Sequence, residues 1–168
     1  MTFNVQFNAG ASRAALGFAK EALTEAGMQP LYTDIGAYMV EETKQRFLRG
    51  EAPDGSKWPA KSATTLERYK RMGYGNLNRP LIGPGKALSR QIVQVVSANG
   101  VLIGSNQIYA QVMQDGAAKG AFGSDKRGRP IPWGRIPART WLGMSKANDA
   151  AIVDMAEEHV LRALGEGG

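Results

Sequence analysis

The sequence predicts an α+β fold in which two N-terminal helices and a C-terminal helix cover one face of a small, mainly antiparallel sheet. An Asn-Gly pair at 99–100 separates two apolar, β-branched runs, 91–98 and 101–103, which is the strongest short-range signal for a hairpin. Stretches with helical spacing of apolar residues flank this hairpin. At 168 residues the chain predicts one domain, residues 1–168, with an extended loop at about 116–135.

The N-terminal region predicts a strand and then a helix. Residues 2–8 alternate apolar and polar side chains, which is typical of a strand with one buried face, and the alternative is a disordered terminus. Residues 11–26 are Ala-rich, with Leu16 and Leu23 on one face, and predict an amphipathic helix that ends at Gly27.

A second helix is expected over residues 34–48. Pro30 is expected to prevent continuation of the first helix, and Thr33 is the expected N-cap of the second. Arg46 falls among the basic residues near its C-terminal end, where cations suit the helix dipole. Gly50 is the expected residue after its last turn.

Two features follow the second helix. Residues 53–55 read Pro-Asp-Gly, a turn signal, and Trp58 comes soon after them. A Trp in a Pro-flanked loop is either a lid folded over the core or an anchor for a partner. Thr64 and Glu67 have the spacing of a capping box for a short helix that runs to Met72.

Two further helices are expected after the hairpin. Apolar residues at helical spacing between 109 and 113 predict a short helix that ends at Gly116. The last helix is expected from 145 or 148 to about 164, with an apolar stripe that includes Val153, Val160 and Leu164. The stripe is interpreted as core, and the alternative is a partner surface.

Positive charge is concentrated in the segment 116–139. It holds six basic residues and one acidic residue, and so accounts for five charges of the net +6. Its glycines and prolines exclude a long helix, and residues 131–133 are a further candidate strand. Loops of this length are usually functional or disordered. The charge favours acidic partners, such as nucleic acid or an acidic protein face, and a basic protein without a polyanion partner is the alternative.

The usual catalytic and metal-binding patterns are not found in the sequence. There is no Cys, and His159 is the only His, so the familiar zinc sites and His-based triads are not predicted. Gly85-Lys86 lacks the other residues of a phosphate-binding loop. Acidic residues such as Glu41 and Asp54 are scattered, and a metal site built from carboxylates alone, as in a nuclease, is the alternative. We therefore predict no enzyme activity, no cofactor and no metal, and no membrane span or leader.

Four blocks of sequence resemble the phage virion morphogenesis, or tail completion, family of Mu-like and related temperate phages. In family order they are RFLRGEAPDGSKWPAKSATTLERYKR at 46–71, KALSRQI at 86–92, VLIGSNQIYAQVMQDG at 101–116 and RIPARTWLGMS at 135–145. The resemblance implies a structural protein at the head-proximal end of the tail, which completes or terminates the tail and helps it join the head at the neck. Its location would be the tail top or neck of the virion, and the host cytoplasm during assembly.

The resemblance also implies partners. These are further copies of the chain in a closed ring of roughly six, or alternatively roughly twelve, subunits, and adjacent tail-tube or neck (connector) proteins, with non-specific contact to genomic DNA in the lumen. A transient monomeric factor is a further alternative. The candidate subunit or ring interface residues are Trp58, Phe122, Lys126, Arg127, Arg129, Trp133, Arg135 and Arg139.

Two hypotheses concern these candidate residues in more detail. Arg135 and Arg139 are expected to bond backbone carbonyls or carboxylates at the base of the loop, with ordinary surface solvation as the alternative. Trp141 is expected to pack against the hairpin.

The alternative function is a nucleic-acid-binding accessory protein, in which the loop's cations contact phosphates while Phe122 and Trp133 stack on bases.

Overall fold

A computed structural model describes residues 9–165 of the chain. Within that range it contains helices and one two-stranded antiparallel sheet, in the order α1 Ala9–Ala22, α2 Glu25–Arg49, α3 Ala63–Arg71, α4 Ala87–Arg90, β1 Val93–Ser97, β2 Gly100–Gly104, α5 Ala110–Asp115 and α6 Lys146–Gly165. The α+β class is confirmed. The predicted strand at 2–8 lies outside the described residues.

The chain divides into two units, each built from separate stretches of sequence. In the described part of the chain, unit 1 holds residues 9–37, 95–102 and 146–165, and unit 2 holds residues 38–94 and 103–145. Because the chain enters each unit more than once, neither unit is one continuous segment. The prediction of a single domain stays a prediction.

Three aromatic side chains occupy the centre of the unit 2 core. The Phe47 ring meets the Trp58 ring edge-on, with centroids 5.2 Å apart at 69°, and lies 6.2 Å from the Trp141 ring. Edge-on contact suits the quadrupoles of aromatic rings. The buried members of this core are Phe47, Ala52, Trp58, Leu88, Ile92, Ala110 and Trp141. Trp58 is therefore a core residue, as in the lid interpretation.

The junction between α1 and α2 differs from the prediction. Thr24 is the N-cap of α2, because its Oγ1 accepts a hydrogen bond from the backbone N–H of Gly27 at 3.1 Å. Pro30 lies inside α2 as its sixth residue, where it lacks the N–H for the bond to the carbonyl of Ala26, and the helix continues through it. Thr33, predicted as a cap, is helical and donates its hydroxyl to the carbonyl of Gln29.

In unit 1, α1 packs against α6. His159 of α6 lies with its Nε2 3.3 Å from the carbonyl oxygen of Ala22. The apolar faces differ from the prediction, because Leu16 of α1, Leu23 just after it and Val153 of α6 are each more than half exposed. The side chains of α6 that are half-buried are Ala151, Ile152, Met155, Ala156, His159, Val160, Ala163 and Leu164, so most of the predicted stripe is covered.

The hairpin is confirmed, and its turn is shifted by one residue. Ala98 and Asn99 form the two-residue loop, and Gly100 begins β2 with φ 152°. Asn99 therefore does not adopt the positive φ that the Asn-Gly signal predicted. Ser97 fastens the turn by donating its hydroxyl to the carbonyl of Gly100 at 3.0 Å. A two-residue loop also places Val95 opposite Leu102, and both side chains are more than half exposed.

The shorter helices follow local signals with small shifts. Ser62, and not Thr64, is the N-cap of α3, because Ser62 Oγ accepts from the N–H of Thr65 at 3.3 Å. The predicted short helix before Gly116 is confirmed as α5. Residues 131–133, predicted as a candidate strand, do not join the sheet, which has two strands within the described residues.

Candidate functional site

Residues 117–136 form a closed excursion of the chain in unit 2, which we call the arm. Ala117 and Ile136 close its base as an antiparallel bridge, with N–H to carbonyl distances of 2.9 and 2.8 Å in the two directions. Gly116 lies just before this bridge with φ 76°. A Cβ at Gly116 would lie 2.6 Å from the carbonyl oxygen of Ile136, so the base of the arm requires glycine.

The two sides of the arm are joined by backbone hydrogen bonds. The N–H of Gly120 donates to the carbonyl of Pro132 at 3.0 Å, and the N–H of Phe122 donates to that of Ile131 at 2.7 Å. Ile131 in turn donates to the carbonyl of Gly123 at 2.7 Å. The long basic loop expected from sequence is therefore a paired ribbon whose peptide groups satisfy one another.

A single carboxylate organises the tip of the arm. Asp125 Oδ1 accepts the backbone N–H groups of Arg127 and Arg129 at 2.9 and 3.0 Å. Asp125 Oδ2 accepts from Arg129 Nε at 2.8 Å, and Arg129 Nη2 lies 2.6 Å from the same oxygen. The side-chain bond from Arg129, followed by these backbone bonds, lowers the pKa of Asp125 below its ordinary 3.8.

Arg129 also stacks on an exposed aromatic ring. Its guanidinium carbon lies 4.7 Å from the centroid of the Trp133 ring, within the range of a cation–π contact. Trp133 is nevertheless 67% exposed and Phe122 is 55% exposed. Lys126 and Arg127 are exposed at the tip. The arm thus holds six of the candidate residues: Phe122, Lys126, Arg127, Arg129 and Trp133 in its outer part, and Arg135 next to its base.

Arg139 supports the chain just beyond the arm. It is only 8% exposed, and its Nε and Nη2 donate to the carbonyls of Pro59 and Ala60 at 2.7 and 2.8 Å. Burial lowers its pKa. The expected pairing with backbone carbonyls is confirmed for Arg139, while Arg135 is exposed.

Two of the candidate interface residues have side chains that face inward. Trp58 is 6% exposed, and its Nε1 donates to the carbonyl of Thr140 at 2.9 Å. Trp58 and the buried Arg139 are therefore not available to contact another protein. Trp141 is also buried, and its Nε1 donates to the carbonyl of Ala110 at 3.1 Å. Trp141 shares the core cluster with Ile103 of β2, consistent with the expected packing against the hairpin.

Sequence reasoning missed two polar side chains that hold the segment after the arm. Gln114 Oε1 accepts the N–H groups of Trp141 and Leu142 at 2.9 and 3.1 Å, and its Nε2 returns a bond to the carbonyl of Leu142 at 2.8 Å. Arg46 is buried at 2% exposure, and its Nη1 donates to the carbonyl of Gly143 at 2.7 Å. From the sequence, Arg46 was interpreted as one of the basic residues at the end of a helix. No local sequence pattern distinguishes an exposed Arg at a helix end from a buried one.

The described residues hold neither a candidate metal cluster nor a helix that could cross a membrane. Residues 9–165 contain no group of three or more His, Cys, Asp or Glu side chains placed to hold a metal ion. Across the same part of the chain, no helix has both the length and the apolar character needed to cross a membrane.

Comparison with known proteins identifies the family. The model of the phage virion morphogenesis family matches residues 10–161. A protein of Escherichia phage Mu named "Putative capsid assembly protein G" is 30% identical over 131 residues, which cover 77% of this chain and 78% of that protein. No solved structure was found to match. The family resemblance of the four sequence blocks is thereby confirmed: the chain belongs to the phage virion morphogenesis family and has a structural role in the assembly of phage particles.

Proposed function

We propose that the protein acts at the head-proximal end of a phage tail, where it completes the tail and helps it join the head. Membership of the virion morphogenesis family supports an assembly role. The name of the Mu relative refers to capsid assembly, and this supports a place near the junction between capsid and tail. The mechanism is contact between proteins, with no catalytic step.

The observation that carries this proposal is the arm. Its exposed surface combines Phe122 and Trp133 with the cations of the tip, and aromatic and Arg side chains are the types enriched in the energetically important parts of protein interfaces. The backbone bonds across the ribbon and the Asp125–Arg129 pair fix its conformation in advance. A preformed arm loses less conformational entropy on binding than a flexible loop would.

The arm provides a contact for ring formation. An arm that binds a different surface on the next copy makes a heterologous, head-to-tail interface, and such interfaces generate closed rings when the rotation closes. We propose a ring of roughly six, or alternatively roughly twelve, copies, stacked against tail-tube or neck proteins, with the genome passing through its lumen.

Electron microscopy of a lysate in which this gene is disabled in its parent phage tests the proposal. Filled heads beside separate tails would establish a joining role, and tails of abnormal length would establish completion. A matched lysate in which the gene is restored from a plasmid is the control. Normal, joined particles in the disabled lysate would contradict the proposal.

A nucleic-acid-binding function is the second candidate, because Lys126 and Arg127 are exposed beside an aromatic surface. When a protein binds DNA through its phosphates, the logarithm of the binding constant falls linearly with the logarithm of the salt concentration. The slope is set by the number of phosphates that the protein neutralises. A filter assay with DNA at low salt tests it. Micromolar binding, with a salt slope that falls when Lys126 and Arg127 are replaced by Ala, would favour this function.

A further inference from the structure

A cavity of about 600 Å³ in unit 2 lies beside the base of the arm. It lies between α3, the start of α4, α5 and residues 135–139. Its apolar floor includes Leu88, Ile82 and Met113, which also belong to the core or pack against it. We call this cavity, together with its lining, the basic groove.

The charged residues that line the basic groove are all cations. They are Lys61, Lys86, Arg135 and Arg139. Among the described residues that line it, none is Asp or Glu. A cleft lined by one sign of charge over an apolar wall concentrates its field and attracts groups of the opposite sign.

Two of these cations lie near enough to repel each other, and both are at least partly buried. Lys61 Nζ donates to the carbonyl of Ile82 at 2.6 Å and to that of Leu77, while Arg139 is fixed on two other carbonyls. Burial, and then the positive charge of Arg139, lowers the pKa of Lys61. An anion bound in the groove would therefore relieve a repulsion that is already present in the protein.

Both cations have hydrogen-bond capacity for such an anion. A Lys ammonium carries three N–H donors and an Arg guanidinium carries five. The described bonds use two donors of Lys61, whose ammonium also lies 4.7 Å from the centroid of the Tyr69 ring, and two donors of Arg139. A carboxylate at this point would accept charge-assisted bonds, which are stronger than bonds between neutral groups.

A second cavity of about 600 Å³ adjoins the basic groove, because Ile82 and Lys86 line both. Its other cations are Lys44, Arg79 and Arg90, and its one acidic residue, Glu41, accepts a bond from Gln45 at 2.7 Å. Cations and apolar side chains therefore line two adjoining cavities, which together offer more than one position for a bound group.

We propose that the basic groove binds an extended acidic segment of a partner protein, with a carboxylate beside Lys61 and Arg139 and an apolar side chain on the floor. The match of cationic rim and apolar floor favours a peptide that alternates acidic and apolar residues. The groove and the tip of the arm are different surfaces, so this inference does not require the arm to be the subunit contact.

Selection from a displayed library of random 12-residue peptides against the full chain tests the proposal. The selected peptides are expected to be enriched in Asp and Glu together with Leu, Ile or Phe. The best of them, labelled with fluorescein, is then titrated by fluorescence anisotropy against the wild-type chain and three variants. Arg135→Glu and Lys86→Glu place a negative charge at the groove, and Arg127→Glu makes the same exchange at the tip of the arm.

The groove variants are expected to weaken binding by about fivefold or more, since each replaces an attraction by a repulsion, whereas Arg127→Glu should change it by less than about twofold. Urea unfolding verifies that all three variants are folded. Failure to enrich acidic peptides, or equal weakening by the groove and tip variants, would overturn the proposal. It would also be overturned if a 12-nucleotide single-stranded DNA displaced the peptide at equal concentration, because the occupant would then be nucleic acid. Dissociation of a self-associated form of the chain by the peptide, measured by sedimentation velocity, would overturn it as well, because the occupant would then be a second copy.

Discussion

Replacing Arg139 by Met should destabilise the protein more than the same replacement at the exposed Arg135. The Met side chain retains apolar packing volume and removes the guanidinium, so the carbonyls of Pro59 and Ala60 lose their donors at 2.7 and 2.8 Å. Each hydrogen bond from a charged donor contributes about 1.5–3 kcal/mol net. The variant also removes a partly desolvated charge and its repulsion of Lys61, which offsets part of this loss. We expect a net decrease in the free energy of unfolding of about 2–4 kcal/mol.

Urea unfolding followed by Trp fluorescence measures this effect. Trp58 and Trp141 are buried, so their emission should shift when the core of unit 2 opens. With an m value of about 2 kcal/mol per molar urea, the midpoint should fall by about 1–2 M. Arg135→Met is the matched control, because Arg135 is exposed and its replacement should change the free energy of unfolding by about 0.5 kcal/mol or less. Equal midpoints for the two variants would refute the argument that Arg139 fixes residues 59–60.

Two further predictions concern the arm. Gly116→Ala should lower the free energy of unfolding by at least about 2 kcal/mol, because a Cβ there combines a positive φ with a backbone contact of 2.6 Å. Gly128→Ala, at φ 72° with nothing within 4 Å of the added Cβ, should lower it by about 1 kcal/mol. Thermal unfolding compares the two variants, and equal losses would contradict the close contact at Gly116. The folded pKa of Asp125 is depressed, so its contribution to the arm is fully present above pH 3.8 and is lost as the pH falls through the lower folded value. The NMR shifts of the Arg127 and Arg129 amide protons, which Asp125 accepts, should therefore titrate with a midpoint below 3.8, and a midpoint at or above that value would show that the pairing does not persist in solution.

The sequence predicted the elements that depend on local signals. The hairpin, α5 and α6 each carry their periodicity and their stop residue within a few positions, so their presence follows from near neighbours. The turn of the hairpin was shifted because Asn99-Gly100 can be accommodated in two ways, and the pairing of the flanking strands decides between them. Gly100 still occupies the position that needs an unusual φ.

One error came from treating Pro30 as a barrier to helix formation. Pro30 is the sixth residue of α2 and is therefore past the first turn, in which Pro is tolerated. It removes the hydrogen bond to the carbonyl of Ala26 and its ring crowds that carbonyl, yet the 25-residue helix continues through it. Thr24, which caps α2, was not among the caps predicted from the sequence.

Side chains that bond distant backbone groups could not be found from one sequence. Arg46 reaches the carbonyl of Gly143, 97 positions away, and Gln114 holds Trp141 and Leu142, 27 and 28 positions away. The excess of cations in the arm was evident from the sequence. The backbone hydrogen bonds that pair its two sides were not, because they join residues whose positions follow no periodic pattern. The Asp125 turn did carry a local signal, since Asp commonly accepts backbone N–H groups two residues on.

Complementation of the gene-disabled phage by a variant of the arm tests the central claim most directly. The double variant Phe122→Ser and Trp133→Ser removes exposed apolar surface without touching the backbone bonds of the ribbon. It loses the exposed contact between Arg129 and Trp133, so its urea midpoint should fall by no more than about 0.5 M and it should remain folded. Tyr74→Ser, an exposed aromatic residue away from the arm, is the control. We predict that the control restores plaque formation and that the double variant leaves heads and tails unjoined or tails of abnormal length. Full rescue by a folded double variant would contradict the claim that the arm makes the assembly contact.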